Sequence, residues 1–524
     1  MVLNWQPHWK TLPTKSDLKI VPEDLLPYTA YIKRDSIKYL SIMNERGVPE
    51  YLSNVIDFVA EQDYNRISQV SLSMNSFLER DFFKLAACCG DALTDIRITN
   101  FGHERNIVQA DTLLKHCPNL EKLFFQGMIL NDPTLSSTLW KPNLNGFKHT
   151  KLTSLTLIYI IKSMSGFSFI APFLQAAPKL KQLHLNMDNL DNAMDSSDMI
   201  LFLQQNCPDL TTLAFSSIYT EGLYNDIFDK MATTTTTTLT EESNGIKEGN
   251  LKRLLLHGCV SRPHLVQNIF TTIVQRFSAT LESIDLVGQE VLNEVTMRCL
   301  SSLVFVSLKR LKLMLRVLES IQNPELLESF FENSIPNVVH LSLIDVTFGK
   351  NNTTFPKLYS GTKYLRKLEL MTINDFTEDD LASYLEMAGP QLQVLGLRLD
   401  LLGPISLSVL FTKCTNLKEL TVFTLLRSII VELHNQFEQW ESGEKKRLRK
   451  LEIIFRGGMR QYPNEIIDGL INRMDQHAVE WYFEATCPKT KKKDYAIYNK
   501  YLRRQKFTHV EYRRQKSHNQ QHAF

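Results

Sequence analysis

One spacing pattern recurs through almost all of the 524 residues and limits the folds open to this chain. Segments of the form apolar-x-x-apolar-x-apolar return about every 29 residues, with one longer step of 41 residues after Leu210. Fifteen of them open at Ile37, Ile67, Leu93, Leu120, Leu152, Leu180, Leu210, Leu251, Leu281, Leu308, Val338, Leu365, Leu392, Leu417 and Leu448. Weaker matches open at Ala478 and Phe507, so the pattern predicts about seventeen similar units up to Tyr512.

Each unit has the pattern of a short strand followed by a helix. The opening segment alternates apolar and polar residues, which is typical of a strand with one buried face, and we expect its middle leucines, such as Leu368 and Leu395, to be buried. Farther along, Thr377–Ala388 begins with a capping-box pattern, has helical apolar spacing and meets a stop at Gly389-Pro390. One unit cannot bury both its strand leucines and its helix stripe, so the units must stack. We predict an α/β leucine-rich-repeat solenoid, a right-handed β-α superhelix with a parallel concave sheet and convex helices.

Composition and motifs argue against a membrane protein and against an enzyme. The chain has no run of about 18 uncharged apolar residues and no secretory signal pattern, from which we expect a cytoplasmic or nuclear protein. Its eight cysteines show no C-x-x-C spacing and its 13 histidines no H-E-x-x-H, so we expect free thiols and no metal site. P-loop, G-x-G-x-x-G and G-x-S-x-G motifs are also missing, and we expect neither catalysis nor a cofactor.

The text that joins helix to strand is repeated too. It reads HCPNLEKL from His116, NCPDLTTL from Asn206 and KCTNLKEL from Lys413, with APKLKQL, IPNVVHL and GPQLQVL as variants. This text resembles the cysteine-containing leucine-rich repeats of fungal F-box/leucine-rich-repeat proteins, of the ribonuclease-inhibitor-like superfamily. The resemblance implies a protein that recognises substrates for an SCF-type E3 ubiquitin ligase, in ubiquitin-dependent protein degradation.

The F-box of that family is missing or degenerate here. In family members three helices precede the repeats, open with a text like L-P-x-E-[IL]-[IL] and bind the Skp adaptor of a cullin-containing ligase. The segment VPEDLL at 21–26 is similar to that opening, but Pro27 follows directly and a repeat strand opens at Ile37. Skp adaptor and cullin are therefore implied as partners only if an F-box is present. The alternative is a leucine-rich-repeat scaffold or regulator without a ubiquitin role.

The chain divides into three predicted segments. Residues 1–36 are an N-terminal cap or F-box remnant, 37–484 form the solenoid, and 485–524 form a basic C-terminal cap and tail. The segment at 231–250, MATTTTTTLTEESNGIKEGN, cannot bury apolar surface, so we predict a disordered insert. In the tail, lysines and arginines interleave with tyrosines, as in the stretch DYAIYNKYLRRQ. This mixture fits a capping helix with a solvated outer face, and nucleic-acid or anionic-surface binding stays open as a less favoured role.

Side chains at positions three, five and seven of each unit should face the concave surface and recognise protein partners. Position three is often basic, at Lys122, Arg253, Arg310, His340, Lys367 and Lys450, and position seven becomes apolar, at Val287, Met314, Ile344 and Met371, before Arg398, Phe423 and Ile454. A basic column suits an acidic or phosphorylated segment, and an apolar column suits a partner's anchor residues. The candidate partner-binding residues are Arg253, Arg310, Met314, His340, Ile344, Lys367, Met371 and Arg398.

Both columns also have a purely structural interpretation. The basic side chains would form a solvated strand edge balanced by Glu121, Glu282, Glu369 and Glu452. The apolar side chains would turn under the adjoining loop and belong to the core.

Overall fold

The structure is a computed structural model that describes residues 38–43, 49–61, 63–74, 77–100, 108–129, 142–161, 167–186, 196–216, 250–257, 263–288, 293–314, 324–344, 346, 354–371, 377–398, 404–424, 431–435, 448–456 and 480–486. They belong to two compact units, Met1–Phe277 and Ser278–Phe524. The N-terminal segment 1–36, the threonine-rich insert at 231–249, the basic residues from 487 onward and the seventeenth opening at Phe507 lie outside the described residues.

We call the first residue of each apolar-x-x-apolar-x-apolar segment a ladder opening. A strand begins two residues after every ladder opening from Ile37 to Ala478. In the first unit the strands are β1 (Tyr39–Met43), β2 (Gln69–Met74), β3 (Asp95–Asn100), β4 (Lys122–Ile129), β5 (Ser154–Ile161), β6 (Gln182–Asn186), β7 (Thr212–Ser216) and β8 (Arg253–His257). In the second unit they are β9 (Ser283–Val287), β10 (Arg310–Met314), β11 (His340–Ile344), β12 (Lys367–Met371), β13 (Val394–Arg398), β14 (Glu419–Thr424), β15 (Lys450–Arg456) and β16 (Glu480–Thr486). Within each unit the strands pair in chain order and in parallel, which confirms the predicted repeat.

Helices follow most of the strands, and within each unit most of them pack against the next helix along the chain. In the first unit they are α1 (Pro49–Glu61), α2 (Glu79–Cys89), α3 (Ala110–His116), α4 (Phe167–Ala176), α5 (Ser196–Asn206) and α6 (Pro263–Phe277). In the second unit they are α7 (Glu294–Ser301), α8 (Pro324–Asn333), α9 (Thr354–Gly361), α10 (Glu378–Ala388) and α11 (Pro404–Lys413). Alternation of parallel strands and helices makes each unit an α/β leucine-rich-repeat solenoid.

The predicted start of α10 shows why a helix forms at this place in the repeat. Thr377 is the N-cap, its hydroxyl accepts from the backbone N–H of Asp380, and the Asp380 carboxylate accepts from the Thr377 N–H. These two bonds satisfy backbone donors that have no partner inside the helix. Gly389 then begins a 3-10 turn, Gly389–Gln391, before the next strand.

The core lies between the strand leucines and the helices. In the repeat of β10 the ladder residues Leu308, Leu311 and Leu313 are fully buried, and so are Leu368 and Leu395, as predicted. Burial of each such side chain contributes roughly 1.5–3 kcal/mol.

Helices α8 and α9 approach each other closely at Gly361. A Cβ at Gly361 would collide with the backbone carbonyl of Phe331, so only glycine permits this contact.

Neighbouring repeats are also joined by side chains that donate to the backbone of the previous repeat. In four repeats, the residue directly before the ladder opening donates to the carbonyl two residues before the previous opening. These bonds are Asn119 to Asp91 at 2.9 Å, Ser307 to Ala279 at 2.6 Å, Asn337 to Val306 at 2.7 Å and Asn416 to Pro390 at 2.6 Å. The asparagine at this place in the repeated junction text therefore links neighbouring repeats by a hydrogen bond.

Candidate recognition surface

The strands β9–β13 place two sets of side chains on opposite faces of their sheet. In β10, Leu311 and Leu313 are buried, while the alternate residues Arg310, Lys312 and Met314 are partly exposed. We call the face that carries the alternate residues of β9–β13 the open face. Several side chains on this face are partly exposed.

The strand register arranges the open face in three rows. Position three gives Ser283, Arg310, His340, Lys367 and Val394; position five gives Asp285, Lys312, Ser342, Glu369 and Gly396; position seven gives Val287, Met314, Ile344 and Met371. The predicted columns are thus real rows of side chains on adjacent strands. Arg253 lies in the other unit, on β8.

Glu369 connects two members of the basic row. Lys367 Nζ lies 2.9 Å from Glu369 Oε1, and His340 Nε2 lies 3.4 Å from Glu369 Oε2. Gly396 on the next strand leaves little space beside this carboxylate, since a Cβ there would lie 3.3 Å from Glu369 Cγ. For Lys367, this contact agrees with the interpretation of a basic side chain balanced by a neighbouring glutamate.

The protonation states of this cluster follow from its contacts. Burial acts to raise the pKa of Glu369, but the hydrogen bond from His340 and the charge of Lys367 outweigh it and hold the pKa well below its usual range. Burial lowers the pKa of His340; Glu369 opposes that effect, while Lys367 and Arg310 reinforce it. At neutral pH the cluster therefore contains a carboxylate, an ammonium group and a neutral imidazole that donates from Nε2.

Position five also carries a charge pair, Lys312 and Asp285, that was not predicted from the sequence. Lys312 Nζ lies 3.7 Å from Asp285 Oδ2, and both side chains are largely buried. The alternation that places position three on the open face also places position five there, and position five carries both acidic and basic residues. On β15 the pair Lys450–Glu452 repeats the same-strand arrangement of Lys367 and Glu369, at 3.7 Å.

Arg310 differs from the other cations of the open face. It stands between Ser283 and His340 in the register and is partly exposed. Its backbone N–H donates to the Glu282 carbonyl, but its side chain makes no hydrogen bond and no ion pair with another described residue. Its guanidinium is consequently available to an external group.

The apolar row is accessible over three strands and closed at one end. Met314, Ile344 and Met371 are partly exposed, whereas Val287 is fully buried, so the assignment of Val287 to the core is confirmed. Arg398 occupies position seven on β13 and pairs in register with Phe423 of β14. The side chains of Arg398, Phe423 and Ile454 lie outside the described part of the structure.

The first unit uses the corresponding face differently. Every residue of β7 is buried, and in β6 every residue except Gln182 is buried, so the predicted single buried face is wrong for these strands. Polar groups can be buried there because they bond to one another: His184 Nε2 lies 2.7 Å from Ser216 Oγ. Burial, reinforced by His257, lowers the pKa of His184 to about 3. This part of the sheet is not an exposed recognition surface.

The cysteines of the repeated text serve packing. Cys117, Cys207 and Cys414 are free and buried at helix ends, and burial raises the pKa of each thiol to about 12. In the repeat of β5 the same position is His149, whose Nδ1 accepts from the Leu152 N–H and whose Nε2 donates to the Cys117 carbonyl at 2.9 Å. A buried thiol with such a pKa stays protonated at neutral pH and is a poor nucleophile.

In the described ranges, no three His, Cys, Asp or Glu side chains meet in a way that could hold a metal ion. The helices given above are also too short or too polar to cross a bilayer.

Comparisons with known proteins include a match to a solved structure. No protein-family model and no curated protein matches the chain. The structure of the yeast Rad7 and Elc1 complex matches with 14% sequence identity and a TM-score of 0.34, over 60% of this chain and 78% of that chain. At this level of likeness, the assignment of the fold depends on the strand order, register and burial described above.

Proposed function

We propose that the chain is a non-enzymatic scaffold that recognises a protein partner through the open face of β9–β13. The observation that supports it most directly is the row of Met314, Ile344 and Met371, which are apolar, adjacent in register and partly exposed. Contiguous accessible apolar side chains are typical of a protein-binding site, especially when charged groups border them. Arg310 and the Glu369 cluster form that polar border.

Within this function, we propose the role of substrate-recognition subunit of an SCF-type ubiquitin ligase, in the cytoplasm or nucleus. The repeated junction text supports this role through its resemblance to F-box/leucine-rich-repeat proteins. The alternative is a leucine-rich-repeat scaffold without a ubiquitin role. Recovery of a Skp adaptor and a cullin with the full chain, measured by affinity purification and mass spectrometry, distinguishes the two. If neither is recovered while other partners are, the ligase role is wrong.

The recognition surface is tested by placing charge in the apolar row. Met314→Glu with Met371→Glu should remove the main partner from the purified set, because buried apolar anchors dominate the affinity of an interface. Val304→Glu with Val306→Glu is the matched control, since both valines are exposed on the turn before β10 and lie outside the open face. Circular dichroism verifies that both variants fold. Retention of all partners by the first variant would contradict the proposed surface.

A further inference from the structure

The charged groups of the open face pair in a way that singles out one cation. Lys367 is engaged by Glu369 and Lys312 by Asp285, so each pair is close to neutral. His340 is neutral at neutral pH and donates to Glu369. Arg310 remains, with no side-chain hydrogen bond or ion pair in the described ranges, and it gives this part of the face a net positive charge.

The neighbours of Arg310 determine what kind of anion it can receive. A carboxylate matches the guanidinium in charge and geometry, since it can accept two parallel N–H bonds. A phosphate dianion would bring a second negative charge to a face that already carries the carboxylates of Asp285 and Glu369, and like charges repel. The surroundings therefore favour a carboxylate over a phosphate.

The apolar row lies at a fixed distance from Arg310. Arg310 and Met314 occupy positions three and seven of β10, which places their Cα atoms about 13 Å apart at the rise of a β-strand. An extended partner segment has the same rise. It would span this distance with side chains four residues apart.

We infer that the open face binds an extended acidic segment of a partner protein, with an Asp or Glu carboxylate on Arg310 and an apolar side chain four residues away on Met314, Ile344 and Met371. This inference rests on the proposed function. In it, a single residue, Arg310, binds the anion, instead of the whole predicted column of basic residues at position three.

Peptide selection tests the inference directly, because a random library contains acidic, apolar and neutral segments alike. A phage-displayed library of random twelve-residue peptides is selected on the full chain. We expect enriched peptides to carry Asp or Glu four residues from Leu, Ile, Met or Phe. Arg310→Gln should lower the affinity of an enriched peptide at least about tenfold, as expected for loss of a charge-assisted bond, and Arg310→Lys should recover part of it.

The matched control removes a charge pair instead of the free cation. Arg298→Gln with Glu294→Gln, which removes an exposed ion pair on α7 outside the open face, keeps the net charge of the chain and should change the affinity by less than about threefold. The inference is wrong if no acidic peptide is enriched, if this control weakens binding as much as Arg310→Gln, or if a phosphoserine in place of the acidic residue binds more tightly. Competition by a uridine oligonucleotide at physiological salt would point to nucleic acid and would also overturn it.

The two proposals can fail separately. If the partner depends on Met314 and Met371 but binds Arg310→Gln normally, the recognition surface stands and the anion site is wrong. If the partner binds all the variants normally, both are wrong.

Discussion

Asn337 illustrates how a single residue of the repeat contributes to stacking. Its side-chain amide donates to the carbonyl of Val306 at 2.7 Å, one repeat earlier. Asn119 and Asn416 make the equivalent bonds in their repeats. A turn carbonyl would otherwise depend on water, so the bond adds a fraction of the roughly 0.5–1.5 kcal/mol typical of a protein hydrogen bond.

Asp209 occupies the same place in the repeat of β7 but has no hydrogen to donate. We expect Asp209→Asn to raise the free energy of unfolding by about 0.5–1 kcal/mol through a new bond to the Pro178 carbonyl. Asp209→Ala is the control, because it removes the charge at the helix end without supplying a donor. The difference between the two variants in urea denaturation measures the bond. Equal stabilities would show that no such bond forms.

The functional roles of individual residues were less accessible from the sequence than their positions. Arg310 and Lys367 have the same residue character and the same place in the repeat, and both were predicted as partner-binding. The structure separates them because Glu369 lies two residues after Lys367 on the same strand, whereas Lys312 follows Arg310 at that distance. The sequence shows which charges are two residues apart, but the contact of Glu369 with both Lys367 and His340 depends on rotamers and on the neighbouring strand, which a residue pattern does not specify.

At the scale of elements, the strands were predicted almost completely. The spacing of the ladder openings predicted where β1 to β16 begin. A shift of a strand by one residue would turn its apolar side chains toward solvent, so the strand register is strongly specified. The helices were less uniform, and α10 was predicted from its capping box. Burial of both faces of β6 and β7 was missed, because the alternation of residue types reports only the face that carries the leucines.

The capping box of α10 should have a measurable share in stability. Thr377→Ala removes the side-chain acceptor of the Asp380 N–H and should lower the free energy of unfolding by about 0.5–2 kcal/mol. Ser383→Ala, at an exposed position inside the same helix, should change it by less than about 0.5 kcal/mol. Urea denaturation followed by circular dichroism provides both values. A Thr377→Ala variant as stable as wild type would show that the box does not stabilise the helix.

At the scale of the whole molecule, one repeat pattern supports two different surfaces. In the second unit the open face keeps charged and apolar side chains partly exposed, whereas in the first unit the same face of β6 and β7 is buried and polar. Buried polar groups are stable only while hydrogen-bonded and uncharged. The first unit therefore responds to acid through its buried histidine His184.

His184 should account for a large part of that response. Its pKa is about 3 in the folded chain, against about 6.5 when unfolded, so below pH 6.5 the unfolded state binds a proton that the folded state does not. Stability is unaffected above this range and decreases as the pH falls from about 6.5 toward 3. Between pH 7 and pH 5 the loss from this one group is about 2 kcal/mol. His184→Gln should reduce the decrease by that amount, and His264→Gln, at an exposed position, is the control. Urea denaturation of the three proteins at pH 7 and pH 5 makes the comparison, and an unchanged pH dependence in His184→Gln would mean that this histidine is protonated as readily in the folded chain as in the unfolded one.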